Sequence, residues 1–377
     1  MSSEDASMPL PESPSPLRPV GDDHVRRVIR RHLHPETGSP FWLERDRELG
    51  ADAYEKVTGL ADALALVGLR DAADQQRYEE AVRRRPVEDF IPRDVLAQEK
   101  FLWASQTGGT TGAPKHGTWG STYWRDVLDF SDHFLDLHGV PRDRNWLFLG
   151  PMGPHTTGRL VVSYAERRGG RCFSIDLDPR IVKVFGEEGM TAAADRYVRH
   201  IWDQTEAVIR SQDIGVMFCT SRLLEMLPEH LDPALFSSVE AIVHAGTTLE
   251  PETHRILRED LFPGVPVVGL YGSSTTSVSW QKPFEPEDDY RVVYVPSSPH
   301  VLLDVVDEEG ADVEFGAEGW VRVWRFTDDQ LIPGFRERDR AHRVRPYGAA
   351  AEAHPWAWIG DPYSPEFTVH GRVEGVY

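Results

Sequence analysis

Five short apolar runs along the middle of the chain limit its fold more than any other feature: Asn145 to Leu149, Cys172 to Ile175, Ile214 to Cys219, Val239 to His244 and Val265 to Leu270. Each is bounded by Gly, Pro or Asp. The segments between most of them, Leu160 to Arg168, Ala192 to Arg210, Leu223 to Leu227 and Glu250 to Leu261, carry apolar residues at helical spacing. Strands that are apolar throughout must be covered on both faces, and intervening helices supply that cover. The pattern predicts an α/β fold built on open, largely parallel sheets. In such sheets ligands bind where loops leave the carboxyl ends of the strands.

From Arg291 onward the pattern changes. RVVYVP, VLLDVVDEEG and GWVRVWRF alternate with period two around an EEG turn, which predicts a small antiparallel β-rich subdomain over 291–377. Asp304 and Asp307 read there as turn and edge residues. Upstream, residues 1–20 hold five prolines and five serines and bury too little to offset their ordering entropy, so a disordered tail is expected. Helical spacing at Val25, Val28 and Ile29, then at Leu60, Leu64 and Val67, and at Tyr78 and Val82, predicts an N-terminal helical layer over 21–95. That leaves 96–290 as the α/β core. His32 and His34 precede Pro35 at a spacing that reads as a loop rather than a metal site.

Composition excludes several partners. Lys and Arg number 41 against 61 Asp and Glu, a formal charge of −20 that repels nucleic acid and anionic membranes. No stretch approaches the roughly 20 apolar residues of a membrane span, and Glu4 and Asp5 stand where a signal peptide would be basic. The two cysteines, Cys172 and Cys219, lie in apolar runs and cannot build a disulfide framework, which fits a reducing cytoplasm. An anionic ligand therefore needs a local cationic site.

TGGTTGAPKHG, Thr107 to Gly117, supplies one. Gly108, Gly109 and Gly112 let backbone amides approach a ligand, Thr107, Thr110 and Thr111 add hydroxyls, and Lys115 adds a cation: the parts of a phosphate cradle. Pro114 precedes the lysine and no Ser or Thr follows it, so the spacing is not that of GxxxxGK[ST]. Two further loops leave the ends of expected strands. Ala245, Gly246, Thr247, Thr248 and Leu249 follow one, and Tyr271, Gly272, Ser273, Ser274 and Thr275 follow the next.

Taken in this order, with Gly360-Asp361 and Gly371-Arg372 after them, these motifs resemble the adenylate-forming superfamily of acyl-CoA synthetases, carrier-protein adenylation domains and luciferases. The resemblance covers about residues 95–377. Its nearest branches are the phenylacetate-CoA ligases and acyl-protein synthetases, together with a truncated subgroup that includes a griseoluteate-activating phenazine-tailoring protein. The resemblance implies ATP and Mg2+ as cofactors. It implies that Thr107 to Gly112 and Lys115 hold phosphates, that Gly246, Thr247, Tyr271, Gly272 and Ser273 surround adenine, and that Ser274 meets the α-phosphate. Asp361 would hold the ribose hydroxyls, Arg372 would reach ribose and phosphate, and His155 would stand beside the substrate carboxylate. Thr275 occupies the position of the family's magnesium-ligating glutamate, and a neutral hydroxyl is a much poorer ligand for that ion.

Family members continue into a small domain carrying a catalytic lysine, and the chain is expected to lack it. Lys115, Arg372, magnesium or a partner would then carry the charge stabilisation. The implied function is ATP-dependent activation of a carboxylic acid, aryl or heteroaryl and of secondary metabolism such as phenazine or antibiotic biosynthesis, with transfer to an amine, CoA or a carrier protein. Two alternatives remain open. One is an acyl-adenylate binding or channelling protein, and the other is acyl transfer through a cysteine. Trp119, Trp124 and Trp280, with the small Ser277 and Ser279, suit either the walls of an acyl pocket or the core.

Overall fold

The computed structural model describes residues 20–99, 102–107, 114–246, 249–273 and 277–365. Apart from Val20, the expected N-terminal tail lies outside them. The N-terminal layer is helical: α1 (Asp22–His32), α2 (Pro40–Leu49), α3 (Ala53–Lys56), α4 (Leu60–Val67), α5 (Ala72–Arg84) and α6 (Arg93–Gln98). The strands that follow are β1 (Leu102–Gln106), β2 (His116–Gly120), β3 (Asn145–Gly150), β4 (Cys172–Asp176), β5 (Ile214–Thr220), β6 (Ala241–Ala245), β7 (Val267–Ser273), β8 (Ser277–Gln281), β9 (Val293–Pro296), β10 (Val301–Val306), β11 (Glu318–Phe326), β12 (Leu331–Val344) and β13 (Trp358–Tyr363). Helices α7 (Ser121–Leu137), α8 (Thr156–Arg167), α9 (Pro179–Glu187), α10 (Thr191–Ser211), α11 (Ser221–His230) and α12 (Pro251–Ile256) interleave with them. As expected, Pro251 opens α12 at its first turn, where a missing amide proton costs nothing.

All strands but β1 and β2 join one eleven-stranded sheet in the order β10-β11-β12-β13-β9-β8-β7-β6-β5-β3-β4. The run β4, β3, β5, β6, β7 is parallel, and every pair beyond β7 is antiparallel. The α/β class read from the apolar runs is therefore present, and the β-rich segment after Arg291 continues the parallel sheet edge to edge. Strand boundaries shift slightly: Val239 and Val265 close turns onto Phe236 and Phe262 instead of opening β6 and β7. β7 also runs on through Tyr271, Gly272 and Ser273.

Alternate residues of β3 explain why its run is wholly apolar. Leu147 and Leu149 pack into a core shared with α10, α11 and the N-terminal helices, while Trp146 and Phe148 pack into a second core with α7 and α8. Burial on both faces is the physical meaning of the unbroken pattern. Trp119, Trp124 and Trp280 belong to the second core; Trp119 and Trp280 are fully buried, and their indole nitrogens donate to Ser105 and Ser131 at 3.1 and 2.9 Å.

One local reading changes. His32 ends helix α1 instead of sitting in a loop; it is buried between Ser39 Oγ at 2.8 Å and the Thr327 carbonyl at 2.9 Å. Asp304 lies on the edge strand β10 but is buried, accepting from Arg322 at 3.0 Å and from the Trp324 indole at 3.1 Å. Asp307 is the turn residue expected, capping the Ala311 amide at 2.8 Å. No helix among the described residues is long and apolar enough to cross a membrane.

Candidate nucleotide site

Strands β1 and β2 form a separate antiparallel hairpin, and the glycine-rich segment joins them in the sequence. Gly108, Gly109, Thr110, Thr111 and Gly112 lie outside the described residues, but both ends of the segment are placed. The Thr107 amide donates to the Lys115 carbonyl, and the Lys115 amide donates to Thr107 Oγ1, each at 3.0 Å. The threonine hydroxyl thus closes the neck of the loop. The Lys115 ammonium lies 3.6 Å from Glu79 Oε1 and 4.5 Å from the centre of the Phe335 ring.

The hairpin is tied to the turn between β11 and β12. Thr118 Oγ1 donates to the Asp329 carbonyl and the Gly120 amide to Asp329 Oδ2, both at 2.8 Å, while Arg325 donates to the Thr118 carbonyl at 3.0 Å. The Arg325 guanidinium, wholly buried, lies over the rings of Tyr123 and Trp119 at 4.1 and 4.9 Å. Neither Arg325 nor Asp329 stands out in the sequence, because their partners lie some two hundred residues upstream.

His155 is brought to the same hairpin. The Gln106 amide donates to the Pro154 carbonyl at 2.9 Å, and the Gln106 backbone also bonds the His155 ring. The ring is buried, and its Nε2 has no hydrogen-bond partner among the described residues. Burial first, then the nearby Arg180 cation, lowers the imidazole below its ordinary range, so His155 is neutral at pH 7. A buried nitrogen without a partner is costly, and it is available to a ligand.

The end of β7 brings the adenine candidates close. The Tyr271 hydroxyl donates to Asp339 Oδ2 at 2.9 Å, and its ring centre lies 5.7 Å from that of Tyr294. A Cβ on Gly272 would fall 1.9 Å from the Ser277 carbonyl oxygen, so only glycine fits there, and Ser273 pairs with Ser277 across the hairpin. Gly246 takes φ +91° in the bend after β6. Thr247, Ser274, Thr275 and Arg372 lie outside the described residues.

Asp361 takes φ +46°, and its carboxylate accepts from the Val292 amide at 2.9 Å while its own amide returns a bond of the same length to the Val292 carbonyl. Burial raises its carboxyl above the usual range, and the Val292 bond opposes that. Glu250, at the foot of α12, adds to that rise, and the Tyr294 phenol is raised by its burial first and then by the Asp361 charge.

The carboxylate that touches Tyr271 is Asp339, which the motif reading passed over. Burial, then Glu337, pushes it up to about 6 against the pull of the Tyr271 bond and Lys115. A signal was present: period-two alternation in GFRERDRA puts Phe335, Glu337, Asp339 and Ala341 on one face, and Phe335 and Ala341 are buried. Among the described residues no group of three His, Cys, Asp or Glu is placed to hold a metal. Cys172 and Cys219 have thiols pushed up to about 12 by burial, which removes them as nucleophiles at neutral pH.

The model of the AMP-binding enzyme family matches residues 43–325. The indoleacetate–CoA ligase of Aromatoleum aromaticum is 28% identical over 279 residues, covering 71% of this chain and 48% of that protein. The L-proline–[L-prolyl-carrier protein] ligase of Streptomyces coelicolor is 32% identical over 136 residues, covering 34% of this chain and 25% of that protein. The chain thus spans about half, or less, of the length of these relatives. Among solved structures, 2-hydroxyisobutyryl-CoA ligase in complex with 2-HIB-AMP and CoA superposes with a TM-score of 0.62 at 13% identity, covering 91% of this chain and 66% of that one, a likeness of fold.

Proposed function

The chain belongs to the AMP-binding enzyme family, and on that premise we propose that it condenses a carboxylic acid with ATP, releasing pyrophosphate, and passes the acyl group of the resulting adenylate to an amine, CoA or a carrier protein. One chain of contacts supports this reading: Thr107 and Lys115 bond each other, Gln106 ties their hairpin to the loop of His155 with its open Nε2, and the Lys115 charge acts on Asp339, which accepts from Tyr271. In the reaction the carboxylate attacks the α-phosphorus, the bond to the bridging oxygen breaks, and pyrophosphate leaves.

The residues divide this work. The loop amides and the hydroxyls of Thr107, Thr110 and Thr111, with Lys115, hold the outgoing phosphates, and Ser274 meets the α-phosphate. Tyr271, Gly272, Ser273, Gly246 and Thr247 surround adenine, Asp361 takes the ribose hydroxyls, and Arg372 bridges ribose and phosphate. His155 faces the acid. Magnesium would neutralise phosphate charge with ATP oxygens and water as its main ligands, Thr275 adding at most a hydroxyl. The acid is aryl or heteroaryl, and the setting is secondary metabolism.

Thr275, in the place of a glutamate, favours one second reading: a protein that binds or channels an acyl-adenylate made elsewhere. Pyrophosphate release from ATP, measured across a panel of aryl, heteroaryl and fatty acids, separates the two. Acid-dependent release is expected. If purified protein binds acyl-adenylates but releases no pyrophosphate with any acid, the channelling reading replaces catalysis.

A further inference from the structure

Helix α5 reaches the site from the N-terminal layer. The Gln75 side chain clips it to β12, donating to the Arg336 carbonyl at 2.8 Å and accepting from the Arg336 amide at 3.1 Å. One turn on, Tyr78 is buried with its ring 6.0 Å from that of Phe335, and Val82 continues the buried face. These contacts fix the rotation of the helix, so Glu79 projects toward the hairpin.

Three cations meet its Oε1: Arg83 at 2.8 Å, Lys115 at 3.6 Å and Arg338 at 3.8 Å. Only the Arg83 contact is a hydrogen bond. The Lys115 contact lies beyond hydrogen-bond range and is shared with the Phe335 ring at 4.5 Å, so among the described residues the lysine is held electrostatically without a directed bond. Lys282 shows the contrast: it is buried, with Asp288 at 2.8 Å, Glu285 at 3.0 Å and the Pro283 carbonyl at 3.0 Å. Lys282 is locked, whereas Lys115 is parked.

We propose that Glu79 is a positioning residue, the resting counter-ion of Lys115, from which a polyphosphate entering the glycine-rich loop draws the ammonium away. The proposal rests on reading that loop as a phosphate cradle. Losing Lys115 leaves Glu79 still paired with Arg83 and facing Arg338, so the exchange does not strand a buried charge. Before ATP arrives Glu79 keeps the lysine at the neck of the loop. Once ATP is bound, its own charge opposes the phosphates. It therefore lowers ATP affinity while holding the lysine where the loop begins.

Glu79→Gln removes the charge and keeps the shape. Calorimetry with ATP, and separately with pyrophosphate, on the wild type, Glu79→Gln, Lys115→Ala and the double variant tests the proposal. Glu79→Gln is expected to bind both ligands about two- to ten-fold more tightly, the scale of a partly buried ion pair, and to lose most of that gain when Lys115 is also Ala. A merely structural role predicts weaker binding. Equal or weaker binding by a variant with an unchanged thermal melt overturns the proposal, as does an undiminished gain in the double variant. Should Glu79→Gln not fold, Glu79→Asp draws the charge back by one methylene and is expected to tighten binding by less; no tightening there overturns the proposal equally. If Lys115→Ala leaves ATP affinity unchanged, the phosphate-loop reading itself falls. If Lys115→Ala weakens ATP and Glu79→Gln does not tighten it, only the role of Glu79 falls.

Discussion

Two hairpins supply most of the candidate site, and they are held in opposite ways. The β7–β8 hairpin lies inside the main sheet, laddered to β6 on one side and β9 on the other, so its position follows from backbone pairing. Among the described residues the β1–β2 hairpin has no strand partner beyond itself. It is fixed mainly by side chains, Asp329 and Arg325 beneath it, with one backbone bond from the Gln106 N–H to the Pro154 carbonyl. Tyr123 touches both, its ring stacked on Trp119 at 5.4 Å and its hydroxyl bonded to Ser277. A backbone ladder tolerates the loss of one side chain, whereas a hairpin held by a few buried polar groups does not.

The largest effect should come from breaking that anchor. Arg325→Ala leaves Asp329 buried beside a hairpin it can no longer balance, and removing one member of a buried ion pair costs about 3–5 kcal/mol. Urea unfolding should show a loss of that order, with ATP binding abolished at temperatures where the variant is still folded. The matched change on the other hairpin, Ser279→Ala, should cost no more than about 1 kcal/mol, since β8 keeps the backbone ladders to both neighbouring strands. Equal losses would mean that the first hairpin is not held by its side chains.

The same contrast explains what could be read from the sequence. The sheet was legible because burial on both faces writes unbroken apolar runs such as NWLFL, and the first hairpin announced itself through its glycines and Lys115. The anchor was not legible. Arg325, Asp329 and Glu79 act through partners far away in the chain, and nothing local distinguishes them from the many other charged residues. Asp339 was overshadowed by Gly360-Asp361, which looks more like a motif, although strand alternation already placed Asp339 on the face of Phe335.

Next in size is Lys115→Ala. Losing one charge-assisted contact to phosphate should weaken ATP about ten- to a hundred-fold, with an unchanged thermal melt, because the lysine side chain closes no part of the core. Unchanged affinity in calorimetry removes the loop from the site.

The two carboxylates come third, and they sharpen what the β7 end contributes. Asp361→Ala should weaken ATP and AMP alike, by about ten-fold for lost hydrogen bonds to a charged acceptor. Should 2′,3′-dideoxy-ATP bind the wild type as tightly as ATP, Asp361 does not hold the ribose. Asp339 is told apart by pH. Its carboxyl is raised to about 6 in the folded protein from an unfolded value near 3.8, so the folded state holds the extra proton between those values. Stability contributed by the protonated form is present below the unfolded value and is lost as pH rises through about 6. Asp339→Asn should flatten the step through about 6 in urea midpoints, while Asp361→Ala, which removes another carboxyl raised by burial, should leave that step in place.

The smallest expected effect concerns Thr275, in the segment of sequence between β7 and β8. With a hydroxyl where a carboxylate would ligate magnesium, the ion must rely on ATP oxygens and water, which magnesium tolerates because it normally keeps several waters. Thr275→Glu adds a charged ligand next to Ser274. The strands on either side are held by backbone ladders, so the new side chain need not disturb Tyr271 or Ser279. The magnesium concentration for half-maximal pyrophosphate release should therefore fall, with little change in stability or in ATP affinity measured without magnesium. An identical magnesium dependence in both proteins would mean that Thr275 does not face the metal. The two hairpins would then divide the work differently, with the phosphate charge left entirely to the side-chain-anchored hairpin and Lys115.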